Sequence, residues 1–289
     1  MPTIIWSKAK AKDKLDPSMK KKAYAFFEKL QEDDSLPGLN IEEIKGSRDK
    51  RVRTGRVDDN FRAVLFKLKQ TEDAVYVVHG IWPHDEANSI AEQASLAVNP
   101  VNGMPEVRVV LDEAIAAVGE PEASAAAPTA VTMPAPRQDD DDGPSNAAAP
   151  ERWSLGLDAA VLCHELGIDA DLASAAAKAE SEIEFQKVVE GAAVDWQGLA
   201  LLALATGSTV EDVRREFHLD TDVDSSGTEE ERLVRALSSD AAKTSFHWIE
   251  DNDELRRVVE AGDFGAWRVF LHPEQRNYVD RDWKGPFRL

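Results

Sequence analysis

A chain of 289 residues with 34 Lys+Arg against 54 Asp+Glu carries a formal net charge of −20. That length allows about two domains at the usual ~150 residues each, and a generally acidic surface repels nucleic acid. The imbalance is not evenly spread. Residues 1–100 hold 17 Lys+Arg and 16 Asp+Glu, whereas residues 101–289 hold 17 and 38, so any phosphate-binding surface belongs to the first hundred residues. The single cysteine, Cys163, excludes an internal disulfide, and its setting AAVLCHELGI reads as an apolar helix face, which makes it a buried small hydrophobe rather than a nucleophile. No signal peptide opens the chain and no apolar run approaches the ~20 residues of a membrane span. A cytoplasmic protein without a membrane partner is expected.

In chain order, residues 3–6 (TIIW) read as a short strand and residues 13–32 as a helix or helix pair. Leu15, Met19, Ala23, Phe26, Phe27 and Leu30 recur at helical spacing, with Lys20, Lys21 and Lys22 on the outer face. Pro17 either opens the main helix at its first turn or divides the segment in two. Pro37-Gly38 ends the region, and residues 39–44 lead into Lys45-Gly46. Three runs rich in β-branched and aromatic residues follow, at 51–57, 61–69 and 74–82. The intervals Asp58-Asp59-Asn60 and 70–73 between them predict two tight hairpins and an antiparallel meander. Pro83 stops the last strand, residues 85–97 predict a short helix, residues 106–110 a strand and residues 111–118 a helix.

Between 120 and 150 the composition turns to Ala, Pro and Ser with a run of four aspartates, Asp139 to Asp142. A segment with so little apolar surface cannot offset its ordering entropy, so a disordered acidic linker is expected; the aspartates read as a solvated charge run rather than a metal site. Residues 151–240 predict a small helical bundle with helices at 157–166, 172–179, 182–189, 196–205 and 209–217. Gly167 and Gly207 are placed as C-caps and Ser208 as an N-cap. After a polar break at 220–228 come a helix at 229–237, a strand-like alternation at 243–250 and a helix at 253–260. Apolar residues return at 264–270, Pro273 opens a final helix over 274–282, and 285–289 reads as the start of a strand, as in a fragment of a longer chain.

The order strand, helix, three-stranded meander and short helix over the first ninety residues resembles the RelE/ParE toxin family. The likeness reaches Lys45-Gly46, Arg56-Val57-Asp58 and the run Phe61-Arg62-Ala63-Val64-Leu65-Phe66, which look like that family's Lys-x-Gly, Arg-Val-Gly and Tyr-Arg-Val-x-Tyr elements. What the resemblance implies is a sheet whose basic residues hold RNA, with Lys45, Arg56 and Arg62 as nucleic-acid contacts and Arg56, Arg62 and His84 as catalytic candidates; Arg51 and Arg53 in the same basic stretch are further expected nucleic-acid contacts. Arginine offers phosphate a planar fork, and histidine titrates near neutral pH. The family's terminal catalytic Tyr or His has no counterpart in Ser89-Ile90-Ala91-Glu92-Gln93. Tyr76 reads as a packed mid-strand residue, His79 as a core histidine, and His84, beside Asp85-Glu86, equally as a helix-capping element.

A second resemblance lies at Leu271-His272-Pro273-Glu274-Gln275-Arg276-Asn277-Tyr278-Val279. It is similar to the Q motif of UvrD/Rep-type superfamily 1 helicases, which implies that Gln275 reads the adenine edge, as a donor-and-acceptor amide can. No G-x-x-x-x-G-K-[ST] loop occurs in these 289 residues, so no ATP or Mg²⁺ site is expected within them; both cofactors belong to the presumed full-length helicase. Trp248, Trp267 and Trp283 are candidates for stacking on bases or for core.

Taken together, the expectation is an α+β fold: a RelE-like antiparallel sheet with N-terminal helices at 1–104, a strand/helix extension at 105–119, the linker at 120–150, the bundle at 151–240, and at 241–289 the start of a motor domain. The expected role is the recognition or regulatory region of a UvrD-like ATP-dependent DNA helicase. It would contact DNA or RNA through residues 45–62, or a protein partner on the sheet, with the missing motor as its other partner. The alternatives are a ribosome-dependent mRNA endonuclease with an acidic extension and a toxin-fold protein-interaction module.

Overall fold

The computed structural model describes residues 2–8, 16–69, 74–109, 153–219, 223 and 226–261. It is α+β. Six strands form one mixed sheet in the order β2-β3-β4-β5-β1-β8. They are β1 (Thr3–Ser7), β2 (Glu42–Glu43), β3 (Val52–Arg56), β4 (Phe61–Lys69), β5 (Ala74–Pro83) and β8 (Phe246–Ile249). The meander β3-β4-β5 is antiparallel, as the turn spacing predicts. β1 enters on the far side of β5 and runs parallel to it, pairing Thr3 with Val75 and Trp6 with Val78.

Helix α1 (Pro17–Glu32) starts at its proline. Asp16 is the N-cap and accepts hydrogen bonds from the backbone N–H groups of Ser18 and Met19, so Pro17 stands where its missing N–H costs nothing. The helix buries Met19, Ala23, Phe26, Phe27 and Leu30 against Ile4, Ala63, Leu65, Tyr76 and Val78. Gly55 permits the approach, because a Cβ there would lie 2.4 Å from the Phe26 ring. On the other face, α2 (His84–Gln93) packs Ala87, Ile90 and Ala91 over Val64, Phe66, Val75 and Val77. The helix expected over 85–97 stops at Gln93. Residues 94–98 instead alternate into β6 (Ala94–Val98), which forms a hairpin with β7 (Pro105–Val109).

The helices beyond residue 153 are α3 (Ala159–Val161, continued by a wide turn to Leu166), α4 (Ala170–Lys178), α5 (Glu182–Glu190), α6 (Asp195–Ala205) and α7 (Val210–Glu216). Their core centres on Leu166, Phe185, Trp196, Leu201 and Phe217, and Met104 of the β6-β7 hairpin belongs to it. Gly167 takes φ 75° as the expected C-cap. The N-cap of α7 is Thr209, one residue later than Ser208, because Thr209 and Asp212 close a reciprocal capping box.

Two segments assigned by sequence to other units pack on the sheet. Leu233 and Leu237 of α8 (Glu229–Leu237) join the core beneath α2, not that of the bundle. β8 pairs antiparallel with β1, Ile5 against Trp248, and α9 (Asn252–Ala261) lays Leu255, Val258 and Val259 into the core of α1. The described part of the expected 241–289 unit is therefore the sixth strand and a covering helix of the first domain. The expected elements at 111–118, 120–150, 264–270, 274–282 and 285–289, with Gln275, Trp267 and Trp283, lie outside the described residues.

Candidate nucleic-acid interface

The five basic residues expected to form one surface are divided by the pleat. Side chains alternate faces along a strand, and directly opposed residues share one. Arg56 on β3 is the cross-strand partner of Arg62 on β4, and Arg62 is the partner of Trp82 on β5. The two arginines therefore stand side by side at one end of the sheet, on the face that carries α2. Arg53 opposes Leu65, which packs under α1, so it lies on the other face. Lys45 and Arg51 belong to the loop before β3, and Arg51 stands about 16 Å from Arg56 at ~3.3 Å per residue.

Partners separate them further. Arg51 is mostly buried, at 16% side-chain exposure. Its guanidinium grips Asp49 with Nε and Nη2, each at 2.8 Å, while Nη2 also donates to the Leu96 carbonyl and pairs with Glu229. Asp49 in turn accepts the backbone N–H of Leu96. Burial works to raise the Asp49 carboxyl, but Arg51 and the two backbone donors outweigh it and hold the group below the ordinary carboxylate range. This clamp fastens β3 to β6 and α8, so Arg51 is a fastening of the fold, in place of the nucleic-acid contact expected for it. Arg53 is also engaged, with Glu43 and with the carbonyls of Lys50 and Val52. Lys45 is exposed on a turn made by Gly46 at φ 87°, with exposed Arg48 and Lys50 in the same loop.

At the Arg56/Arg62 end the partners are weaker. Among the described residues Arg56 reaches only the highly exposed Asp59, and an exposed ion pair is worth ~0–1 kcal/mol. Arg62 Nη1 donates to the carbonyls of Asp58 and Phe61 at 2.6 and 3.1 Å. The Asp58 carboxylate is already committed: it accepts from the N–H groups of Asn60 and Phe61 and pairs with Lys22 at 2.8 Å. His84 stands at the same end, its backbone N–H on the Asn60 carbonyl and its Nδ1 2.9 Å from Asp85. Half-exposed, it opens α2.

Two other candidates have structural posts. Tyr76 is fully buried and donates its hydroxyl to Asp34 at 2.7 Å, where Lys67 also binds. Burial, with Asp34 as acceptor, pushes the phenol up to about 12, so it stays protonated near neutrality with its proton committed to Asp34. His79 is the extra residue of a β-bulge, since Val64 pairs with Gly80 and Leu65 with Val78. Its ring lies against Trp82 with Nδ1 unpartnered and sealed from solvent, and burial depresses its pKa to about 4.

Sequence reasoning missed Glu106. Only 1% exposed, its Oε1 accepts from Asn99 Nδ2, Trp196 Nε1 and Gln197 Nε2 at 2.8 to 3.1 Å, and its Oε2 from Arg108. Arg108 continues to Asp169 at 2.9 Å, and Asn99 and Asn102 donate to the carbonyls of Gly167 and Leu166. A buried polar hub thus joins the hairpin to the helical bundle. Its one sequence signal is the Glu-x-Arg spacing of residues 106 and 108, which puts both side chains on one face of a strand.

Among the described residues no group of three or more His, Cys, Asp or Glu is arranged to hold a metal ion, and no helix is long and apolar enough to cross a membrane. No family model, curated protein or solved structure matches this chain.

Proposed function

We propose that this chain is the N-terminal recognition region of a UvrD-like ATP-dependent DNA helicase, in which the six-stranded domain contacts nucleic acid. The observation that carries the nucleic-acid reading is the cross-strand pair Arg56 and Arg62. Two planar guanidinium forks stand on one face, held by an exposed carboxylate and by backbone carbonyls. A phosphodiester displaces such partners at little cost, since a bidentate charge-assisted contact is stronger than either. His84 at the same end is the one titratable ring available for a proton transfer. Both faces of the sheet are covered, by α1 and α9 on one side and by α2, the β6-β7 hairpin and α8 on the other. A partner helix laid across the sheet would have to displace one of these layers, which favours a contact at the rim. The Leu271–Val279 resemblance supplies the helicase part of the reading, and Gln275 is its adenine-reading residue.

Fluorescence anisotropy of labelled single-stranded DNA and RNA with the 289-residue protein tests the contact. Arg56→Ala/Arg62→Ala should weaken binding about tenfold or more and lower the slope of log K against log salt by about 1.4, at ~0.7 per phosphate on a single strand. Unchanged affinity and slope would overturn it. RNA cleavage lost in His84→Ala would transfer the assignment to the endonuclease reading. The motor is tested by reading the coding sequence past Leu289: a Gly-rich loop ending in Gly-Lys-Thr or Gly-Lys-Ser supports it, and a stop codon removes it.

A further inference from the structure

On the sheet face opposite Arg56 and Arg62, α1 and α9 lie side by side and leave a cleft of about 410 Å³ lined by Pro17, Lys20, Lys21, Tyr24, Arg256, Val259 and Glu260. Three of these are cations. Lys20 donates from Nζ to the backbone carbonyl of Glu260 in the last turn of α9, a favourable place for a positive charge. Arg256 rests its guanidinium 5.3 Å from the centre of the Tyr24 ring, which fixes the head of a long side chain over the cleft. Lys21 is exposed beside them. No described carboxylate forms an ion pair with Lys20, Lys21 or Arg256, in a chain where acids outnumber bases by 20. The α1 N-terminus itself is taken, because the Asp16 carboxylate occupies the N–H groups of Ser18 and Met19. The attraction for an anion therefore comes from the three side chains, with the Glu260 carboxylate as the one opposing charge among the lining residues.

We infer that the α1-α9 cleft is a second phosphodiester-binding surface, through which Lys20, Lys21 and Arg256 hold the backbone of a single-stranded nucleic acid. Three cations without a carboxylate partner among the described residues line one cleft and can share the phosphates of one strand, while Pro17, Tyr24 and Val259 offer apolar surface to the sugars between them. The site shares no residue with the rim pair, so it stands or falls separately from the function proposed above.

The test uses the 289-residue protein and a fluorescein-labelled 20-mer of oligo-dT, with inorganic phosphate as competitor and phosphatidylserine vesicles as the alternative anion. Lys20→Gln/Lys21→Gln/Arg256→Gln should weaken oligonucleotide binding about tenfold or more and reduce the salt slope by about 2. Lys69→Gln/Lys178→Gln/Lys187→Gln, which removes the same charge from exposed positions elsewhere, should stay within about twofold of the parent. The exposed single substitution Lys21→Glu gives the same direction of change in a variant that leaves the core untouched. Binding in the triple variant within twofold of the parent overturns the inference. So does displacement of the oligonucleotide by millimolar phosphate, which marks a small-anion site, or cleft-dependent binding to vesicles in preference to oligo-dT. Loss in Arg56→Ala/Arg62→Ala with no loss in the cleft variant would reject the cleft and leave the rim pair standing.

Discussion

Arg51 and Arg56 come from one strand region and look alike in sequence, yet their surroundings give them opposite jobs. Arg51 is enclosed by Asp49, Glu229 and the Leu96 carbonyl; Arg56 faces solvent beside one mobile-length carboxylate side chain, Asp59. Removing one member of a largely buried pair strands the other, so Arg51→Ala should cost about 3 kcal/mol in urea unfolding at pH 7, whereas Arg56→Ala should change stability by less than about 0.5 kcal/mol. Asp49 adds a pH signature. Its folded pKa lies below the unfolded value of ~3.9, so its contribution is complete above that unfolded value and disappears as pH falls through the folded one. Asp49→Asn should therefore be less stable than the parent by a constant amount at pH 7 and pH 5, with the gap narrowing near pH 3. An equal gap at all three pH values would contradict the clamp. The sequence could not separate the two arginines, because each has an aspartate two or three residues away, and the groups that enclose only Arg51, the Leu96 carbonyl of β6 and Glu229 of α8, are far away along the chain.

At the scale of elements, the joints carry the consequences. The β6-β7 hairpin contributes Leu96 and Val107 to the sheet core and Met104 to the bundle core, with Glu106 between them. In Glu106→Gln an amide N–H₂ replaces one oxygen of an acceptor that four donating side chains surround, so at least one buried donor loses its partner. The cost is about 2 to 4 kcal/mol. Differential scanning calorimetry should show the single melt of the parent separating into two for this variant; a single, unshifted melt would show that the apolar contacts alone hold the units together. Helix boundaries with a local cause were legible: Pro17 opens α1 behind Asp16, and Gly167 closes the turn after α3. The end of α2 was not, since Ile90, Ala94 and Ala97 satisfy a helical period while residues 94–98 also satisfy strand alternation. The hydrogen bonds offered by β7 decide for the strand.

For the whole molecule, the sheet takes its strand beside β1 from the far end of the described residues. β8 covers the edge of β1, Trp248 Nε1 donates to the Leu237 carbonyl, and α9 seals α1. A chain ending at Asp240 should lose the Leu255, Val258 and Val259 contacts, bare the β1 edge, bind the hydrophobic dye ANS and melt well below the 289-residue protein. An unchanged melting midpoint would show that the first domain is complete without residues 241–261.

By itself the sequence determined the features whose causes are local: the α+β content, the antiparallel meander, the amphipathic face of α1 and the segregation of acidic charge into the second half. Each follows from side-chain period, turn residues or caps within a few positions of one another. Tertiary structure alone decided that β1 runs parallel to β5, that β8 joins the sheet, that Glu106 is buried among donors, and that of the five basic residues expected at the interface Arg56 and Arg62 are the cross-strand pair at a weakly partnered rim. Except for the Arg56–Arg62 pairing across one hairpin, those outcomes depend on contacts between segments tens to hundreds of residues apart. Burial and pairing are properties of the neighbours a residue meets in space, and no local pattern encodes them.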